Sequence, residues 1–504
     1  MIPLFTPAQV REMDHRAIAR GTPSLDLMER AAGHLARTAV RTVGRSYGLR
    51  VALLCGKGNN GGDGIAAARH LRRVGAFPEV HLIGDPDELS GDAAVQLERW
   101  RAQGGRIRTG LQEVLERAEV GVDCLLGTGA SGAPRPPYDA AIDALNAYDG
   151  PVIACDLPSG VDADSGAVAA QAVDADVTLT LGAHKRGLAL WPARAHVGDL
   201  RLADIGILSD ATEAAAHLVD AGDVARLLPA PGPAEDKRVR GVVVIVAGSD
   251  DMSGAAALSA MGALAAGAGL VTVATSALAR RLIAPNVPEA MSRDIPHDDP
   301  DTAFERIAGL CERADALAMG PGLGHEPPQV ELVRRCVREL DLPIVLDADG
   351  INAFRHDAAT LAGHATGTLV LTPHRTELER LVADGSGRLW EERIERLPGH
   401  ARDLRATIVA KGPGSLTVAP DGRMWVNATG SVALATGGTG DVLTGMTAAA
   451  LAAGTDPARV AATVALHGVA GEVAAERSSV RSVTAGAVAR AVPQALRRVE
   501  DPRR

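Results

Sequence analysis

The sequence predicts an α/β protein built from two doubly wound sheet domains, each a layered sheet with helices on both faces. Short, wholly apolar runs recur along the chain and are separated by helix-competent segments, which is the alternation of a buried parallel sheet. That alternation stops once, in the Pro- and charge-rich LLPAPGPAEDKRVRG, and then restarts. The length of 504 residues also exceeds one typical core, since ~150 residues per domain suggests two to four domains. The expected join lies near 225–240, giving domains at 1–225 and 235–504.

Thr6 and Pro7 start a first helix, and Ser24 starts a second, LDLMERAAGHLARTAVRTV, with apolar residues at helical spacing. Strand-like runs follow at 51–55, 79–84, 122–127, 151–156 and 176–182, with segments such as GIAAARHLRRVG between them. LRLADIG (200–206) and a short helix close the first half. The second half restarts with VVVIVAG (242–248) and a small-residue helical run from Gly254 to Gly267. Apolar runs then recur at 270–275, 315–320, 343–349, 368–372 and 406–412. SLTVAPDGRMWVN (415–427) reads as a hairpin around Pro420, Asp421 and Gly422 that supplies antiparallel edge strands. Beyond it, VALATGGTGDVLTGMTAAALAAG (432–454) is a glycine turn opening an Ala-rich helix.

A formal net charge of -10 with 46% hydrophobic residues argues against nucleic acid or an anionic membrane as partner. Cys55, Cys124, Cys155, Cys311 and Cys336 show no metal-like spacing and read as reduced core residues of a cytoplasmic protein. The N-terminus has no apolar core of signal-peptide length, and no later stretch of about 18 apolar residues suggests a membrane span. Lysine occurs only at 57, 185, 237 and 411. Three of these fall in glycine-bearing loops after strand-like runs, where a compact ammonium suits phosphate or proton transfer.

In a doubly wound sheet the ligand sits at the carboxyl ends of the strands, and the polar loops fall there. GKGNNGGDG (56–64) contains GxGxxG in the setting of a dinucleotide turn, with Asp85 the nearest fit to the acidic partner. Asn59, Asn60 and Asp63, however, are polar groups that a redox fingerprint does not need. VDCLLGTGASGA supplies Asp123 and a second glycine loop, and VIACDLPSGVDADSG supplies Asp156 and Ser159. Each loop alone reads as a tight βα turn; three on one rim, with Lys185, read as a site. In the second half, Gly437, Gly438 and Gly440 make an anion hole at a helix N-terminus. Asp441 is there either as a helix cap or as a base beside a transferring phosphoryl group. Gly412, Pro413, Gly414 and Ser415 after Lys411 form a strand-to-turn nucleotide loop. Asp347 and Asp349 either bind magnesium or cap a helix, and Glu377 fits a first-turn cap.

These motifs carry a resemblance. NNGGDG, GTGASG, DLPSGVDADSG and LGAHKRGL (181–188) resemble the NAD(P)H-hydrate epimerase domain over about residues 1–215. The resemblance implies a Rossmann-like three-layer domain whose substrates, NADHX and NADPHX, are isomerised and not oxidised. It puts K+ on Asn60, Asp123 and Ser159. The substrate falls on Asn59, Asn60, Gly61, Gly62 and Asp63 and on the loop Gly127, Thr128, Gly129, Ala130, Ser131, Gly132, Ala133. Asp156 meets the reacting ring as acid/base, with Lys185 as its partner. Across about 235–500, GSDDMSGAAALSAMGALAAGAGLV, MGPGLG, LDADGIN, LTPHRTEL, AKGPGS and ATGGTGDVLTG resemble the ADP-dependent NAD(P)H-hydrate dehydratase, of the ribokinase-like group. This implies ADP (or ATP) on Lys411, Gly412, Pro413, Gly414 and Ser415 with Gly437, Gly438, Thr439 and Gly440. Ala255, Gly322, His374 and Asp441 contact the hydrated substrate, Mg2+ is a further cofactor, and a homo-oligomer is expected. His374 alone would read as a loop histidine after Pro373. SDDMSGA lacks the aromatic usual before that glycine pair, and NATGSVALATGG is longer in small residues than its counterparts. Two rival readings are a ribokinase-like small-molecule kinase with a fused nucleotide-binding domain, and a non-catalytic scaffold.

Overall fold

A computed structural model describes residues 1–501 apart from 229, 231, 233–235, 356, 383–388 and 391. The chain divides into two compact units, one of Pro3–Ala216 and one of His217–Arg504 with Met1–Ile2. The division falls ahead of the expected 225–240 join, part of which (229, 231 and 233–235) lies outside the described residues.

The first unit runs β1 (Ile2–Phe5), α1 (Pro7–Ala19), α2 (Ser24–Val43), β2 (Arg50–Cys55), α3 (Asn59–Arg73), β3 (Phe77–Leu82), α4 (Gly91–Ala102), β4 (Ile107–Arg108), α5 (Leu111–Glu116), β5 (Val120–Cys124), α6 (Tyr138–Asn146), β6 (Val152–Cys155), β7 (Val177–Leu181), β8 (His184–Lys185) and β9 (Asp199–Ala203). Thr6 and Gln9 close a capping box at the start of α1, as the Thr-Pro signal predicts. The sheet order is β4-β3-β2-β5-β6-β7-β9, every pairing parallel. Alternation along β2 sends Val51 and Leu53 into the core that holds Leu35, Leu71 and Trp100. Ala52 and Leu54 go into a second core with Leu115, Ile142 and Leu145. The unit is therefore three layers, and burial on both faces explains why its strands read as unbroken apolar runs. Strand order reverses between β2 and β5, so the loops after these two strands flank the switch point where doubly wound sheets bind ligands.

The second unit contains β10 (Ala216–Val219), α7 (Ala221–Leu227), β11 (Val242–Val246), α8 (Ser253–Ala265), β12 (Leu270–Thr275), α9 (Ala277–Ile283), β13 (Met291–Asp294), α10 (Pro300–Cys311), β14 (Ala316–Met319), α11 (Pro327–Glu339), β15 (Ile344–Leu346), α12 (Asp349–Asn352), β16 (Leu369–Leu371), α13 (Arg375–Leu381), α14 (Arg393–Asp403), β17 (Ala406–Ala410), β18 (Leu416–Val418), β19 (Met424–Asn427), α15 (Thr439–Ala452), α16 (Pro457–Glu476) and α17 (Ala485–Glu500). From β13 to β17 the order is β13-β12-β11-β14-β15-β16-β17, all parallel. β18 and β19 follow as antiparallel neighbours, turning at Gly422 with φ 89°. The expected edge position of this hairpin needs correction. β10 pairs parallel with β19, His217 opposite Trp425, and covers backbone groups that an edge strand would leave open.

The small-residue helices owe their composition to packing. A Cβ on Gly262 of α8 would meet the carbonyl oxygen of Val442 at 2.2 Å, and one on Gly445 of α15 would meet that of Ser259 at 1.8 Å. Only glycine lets α8 and α15 approach backbone to backbone, which sets the N-terminus of α15 beside the strand ends. Among the described residues no helix is long and apolar enough to cross a membrane.

Candidate active sites

In the first unit the site is built from the loops after β2, β5 and β6. The turn between β2 and α3 is tight: a Cβ on Gly61 would lie 1.8 Å from the carbonyl oxygen of Gly56, so the two glycines are required by contact. This brings Asn60 against the loop after β5, where its side-chain amide donates to the carbonyl of Leu126 at 3.0 Å. Its other atom, Oδ1, is buried and has no hydrogen-bond partner. Asp123, at the end of β5, is fully buried. It accepts from the Ser159 hydroxyl (2.6 Å), the Ser159 amide (2.7 Å) and the Leu125 amide (3.0 Å). Burial still pushes its carboxyl up to about 6, against the opposing pull of those hydrogen bonds. An orphaned amide oxygen, a desolvated carboxylate and a hydroxyl form an all-oxygen set that fits a hard monovalent cation. Gly127, Ala130, Ser131 and Gly132 line a cleft of about 130 Å3 together with Leu157 and Gly160.

Asp156 follows β6 in the left-handed region at φ 68°, a conformation that costs a non-glycine residue of order 1–3 kcal/mol. Its carboxylate oxygen Oδ1 accepts the Leu181 amide at 3.0 Å and the ammonium of Lys185. Lys185 is only 1% exposed and is fixed by β8, whose Lys185 pairs with Phe5 of β1. Its ammonium also donates to the Leu181 carbonyl (2.7 Å) and the Thr180 hydroxyl (3.2 Å). Asp63, in α3, is buried near the same group, and burial holds its carboxyl well above the ordinary carboxylate range. Lys57 instead pairs with Glu88 at 2.6 Å in the open, and Asp85 caps a short turn through the Asp87 amide at 2.9 Å. Neither joins the site.

In the second unit Gly438, at φ 90°, is the N-cap of α15, and no side chain caps this helix. The capping role for Asp441 is therefore not realised. Asp441 accepts no hydrogen bond among the described residues. Burial pushes its carboxyl up to about 7, helped by Asp347, Asp349 and Glu377 and opposed by Lys411. The ammonium of Lys411 is 2.6 Å from Asp347 and lies 3.2 Å from where a Cβ on Gly440 would stand. Asp347 also accepts the Thr444 hydroxyl at 2.6 Å. Asp349 accepts the Gly324 amide at 2.9 Å. The loop after Lys411 is closed by Ser415, whose hydroxyl accepts from the Gly412 amide (3.2 Å) and donates to its carbonyl (2.9 Å). Pro373 accepts the Lys411 amide at 2.9 Å, which brings the His374 and Lys411 segments together. His374 is the N-cap of α13, in a capping box with Glu377, its side chain 53% exposed. Gly322 packs on Ala255, a Cβ there standing 3.0 Å from Ala255 Cβ.

The chain matches two families, NAD(P)H-hydrate dehydratase over residues 243–494 and YjeF-related protein N-terminus over residues 24–187. The bifunctional NAD(P)H-hydrate repair enzyme of Moorella thermoacetica is 36% identical over 99% of this chain and 97% of its own. The chain belongs to the bifunctional NAD(P)H-hydrate repair enzyme family. The family's member from Salinibacter ruber is 36% identical, covering 94% of this chain and 92% of that protein. The ADP/ATP-dependent NAD(P)H-hydrate dehydratase from Bacillus subtilis, co-crystallised with ATP/Mg2+, superposes with a TM-score of 0.51 at 32% identity, covering 56% of this chain and 99% of that one. That superposition carries the ribokinase-like fold expected of the second half.

Three groups at these family sites escape sequence reading. Thr180 and Thr444 hold Lys185 and Asp347 but sit in ordinary apolar runs. Asp14 of α1 interacts electrostatically with Asp63, Asp156 and Lys185, yet it lies in a plain amphipathic helix with no motif spacing around it.

Proposed function

We propose that this chain repairs hydrated nicotinamide nucleotides, the first unit interconverting the R and S forms of NADHX and NADPHX and the second dehydrating the S form with ADP. The observation that carries the dehydratase half is Asp441, a half-buried carboxyl that caps nothing and lies close enough to Lys411 to be influenced by its charge, at the mouth of an amide-lined helix N-terminus. With a pKa of about 7 it is poised to take a proton near neutrality, where a general base works best. Asp441 removes the proton of the ring hydroxyl, which attacks the terminal phosphoryl of ADP; the phosphoanhydride bond breaks and AMP leaves. Backbone amides of Gly437, Gly438, Thr439 and Gly440 stabilise the charge that develops, by a few kcal/mol per well-placed donor. Phosphate then leaves where hydroxide could not, expelled by the ring nitrogen's electron pair, and loss of a proton from the adjacent ring carbon restores the double bond of the reduced nicotinamide. Asp347 orients Lys411 toward the phosphates carried by the loop Lys411–Ser415. Ala255, Gly322 and His374 are read as contacts of the hydrated ring.

Mg2+, co-crystallised with ATP in the Bacillus subtilis dehydratase, would accompany the nucleotide phosphates and offset their charge. In the first unit Asn60, Asp123 and Ser159 would hold K+, whose charge would offset that of the buried carboxylate beneath the substrate loop. Asn59–Asp63 and Gly127–Ala133 grip the substrate. Asp156, pinned by Lys185, exchanges the proton that ring opening requires. The same reading makes the chain a cytoplasmic homo-oligomer acting on small molecules, with neither nucleic acid nor membrane as partner. The formal net charge of -10 supports the absence of nucleic acid and anionic membrane as partners.

The test is to incubate the protein with separated S-NADPHX and ADP and to follow phosphate release with return of reduced-nicotinamide absorbance. A stable phosphorylated product without restored absorbance would make the second unit a small-molecule kinase instead.

A further inference from the structure

Epimerisation of a carbinolamine, a hydroxyl and a ring nitrogen on one carbon, needs two proton-exchanging groups. One takes the hydroxyl proton and the other supplies the nitrogen as the carbon–nitrogen bond opens. Asp156 meets the first need, and Lys185 does not meet the second. An ammonium has three N–H donors, and those of Lys185 are committed to Asp156, the Thr180 hydroxyl and the Leu181 carbonyl. The lysine is 1% exposed and reaches nothing else.

Resting on the epimerase reading, we propose that Asp63 is the second proton-exchanging group and that Lys185 is a positioning residue for Asp156. Asp63 stands in the second turn of α3, 7% exposed, and makes no hydrogen bond among the described residues. A buried carboxyl with no partner in the fold either is a defect or is kept for a ligand. The charged groups facing it are Asp156 after β6, Lys185 of β8 and Asp14 of α1. Burial, Asp156 and Asp14 favour its protonated form, and only Lys185 opposes them. Asp63 thus favours its protonated form, while the carboxylate of Asp156 is engaged by the Lys185 ammonium and Asp63 keeps its own polar atoms free for a ligand.

The step balances. Asp156 accepts the hydroxyl proton, the carbon–nitrogen bond breaks with its electron pair going to nitrogen, and Asp63 gives nitrogen a proton, leaving an open-chain aldehyde. Rotation of the aldehyde carbon presents its other face. On reclosure nitrogen's pair re-forms the bond, Asp63 recovers its proton and Asp156 returns the other to oxygen. Nothing is consumed.

Asp63→Asn tests this in the full-length chain, and since asparagine mimics the protonated acid in shape and charge without its cost of desolvation, the first unit should melt no lower than in the wild type. Interconversion of the separated R and S hydrates should fall in kcat by about 100-fold or more, with KM changed only a few-fold. In the wild type kcat/KM should decline at alkaline pH as Asp63 loses its proton, and Asp14→Asn should move that decline to lower pH. The infrared spectrum of the wild type in D2O at neutral pH should show a protonated-carboxyl band, part of which persists in Asp441→Asn and is lost in Asp63→Asn. A variant that raises KM but keeps kcat would make Asp63 a binding residue only, and a wild type without that band or the alkaline decline would overturn the proposal even if no variant folds. A wild type that does not interconvert the epimers at all would instead overturn the epimerase reading on which it rests.

Discussion

Replacing Asp441 by asparagine should stabilise the protein while disabling it. In the folded chain this carboxyl titrates near 7, against an ordinary value of 3.8, so folding disfavours its charged form. The sign follows from proton binding: between these values the native state holds a proton that the unfolded state has lost, so stability falls as pH rises through this window. Above pH 7 the full difference applies, which corresponds to a ceiling of about 4 kcal/mol. Asparagine has no charge to desolvate and escapes this penalty. In domains of 150–250 residues about 1 kcal/mol moves the midpoint by roughly 2–4 °C, so a rise of several degrees at pH 8 is expected, narrowing toward pH 5. ADP-dependent dehydration by the same variant should fall by about 10²- to 10⁴-fold. The wild-type rate should climb through about pH 7, and the variant should lack that climb. Melting curves at several pH values and a rate profile on both proteins make the assay. An Asp441→Asn variant no more stable at pH 8, with near-normal turnover, would refute both the burial argument and the base.

Asp156→Asn should slow epimer interconversion by about 100-fold or more and leave dehydration of S-NADPHX intact, as a coupled absorbance assay on each epimer will show. Gly440→Ala puts a methyl group 3.2 Å from the Lys411 ammonium, so ADP binding measured by calorimetry should weaken by about tenfold or more while the melting temperature changes little. Asn60→Ala removes the orphaned oxygen beside Asp123, and the midpoint for K+ in epimerase assays should rise well above that of the wild type; an unchanged K+ dependence would move the cation elsewhere.

Much of the fold is legible because its strands are buried on both faces. VALLC and LVTVAT can be little else once helix-competent segments flank them, and the second of these coincides with β12. What sequence does not carry is lateral order. Nothing in AHLV (216–219) says that it pairs with β19, so the unit boundary and the hairpin's edge position both follow a pairing invisible to periodicity. The glycine loops were readable as a rim because several polar turns recur at strand ends, and Gly61 against Gly56 shows why those residues must be glycine. The division of labour within the rim was not readable. Lys185 looks like a catalytic lysine by rarity and place, and only its three acceptors show it to be committed. Asp441 looks like an N-cap by position, and only the geometry of Gly438 frees it. Asp14 becomes relevant through tertiary placement alone.

The most direct test of the paired repair activities is the extent of recovery from an equal mixture of R- and S-NADPHX with excess ADP. The account predicts that the wild type returns reduced-nicotinamide absorbance to the full amount of hydrate in one fast course. With Asp156→Asn the fast phase should end near half, the rest following slowly. A wild type that itself stalls near half would contradict epimerisation by the first unit, and absorbance that never rises with ADP would contradict the account as a whole.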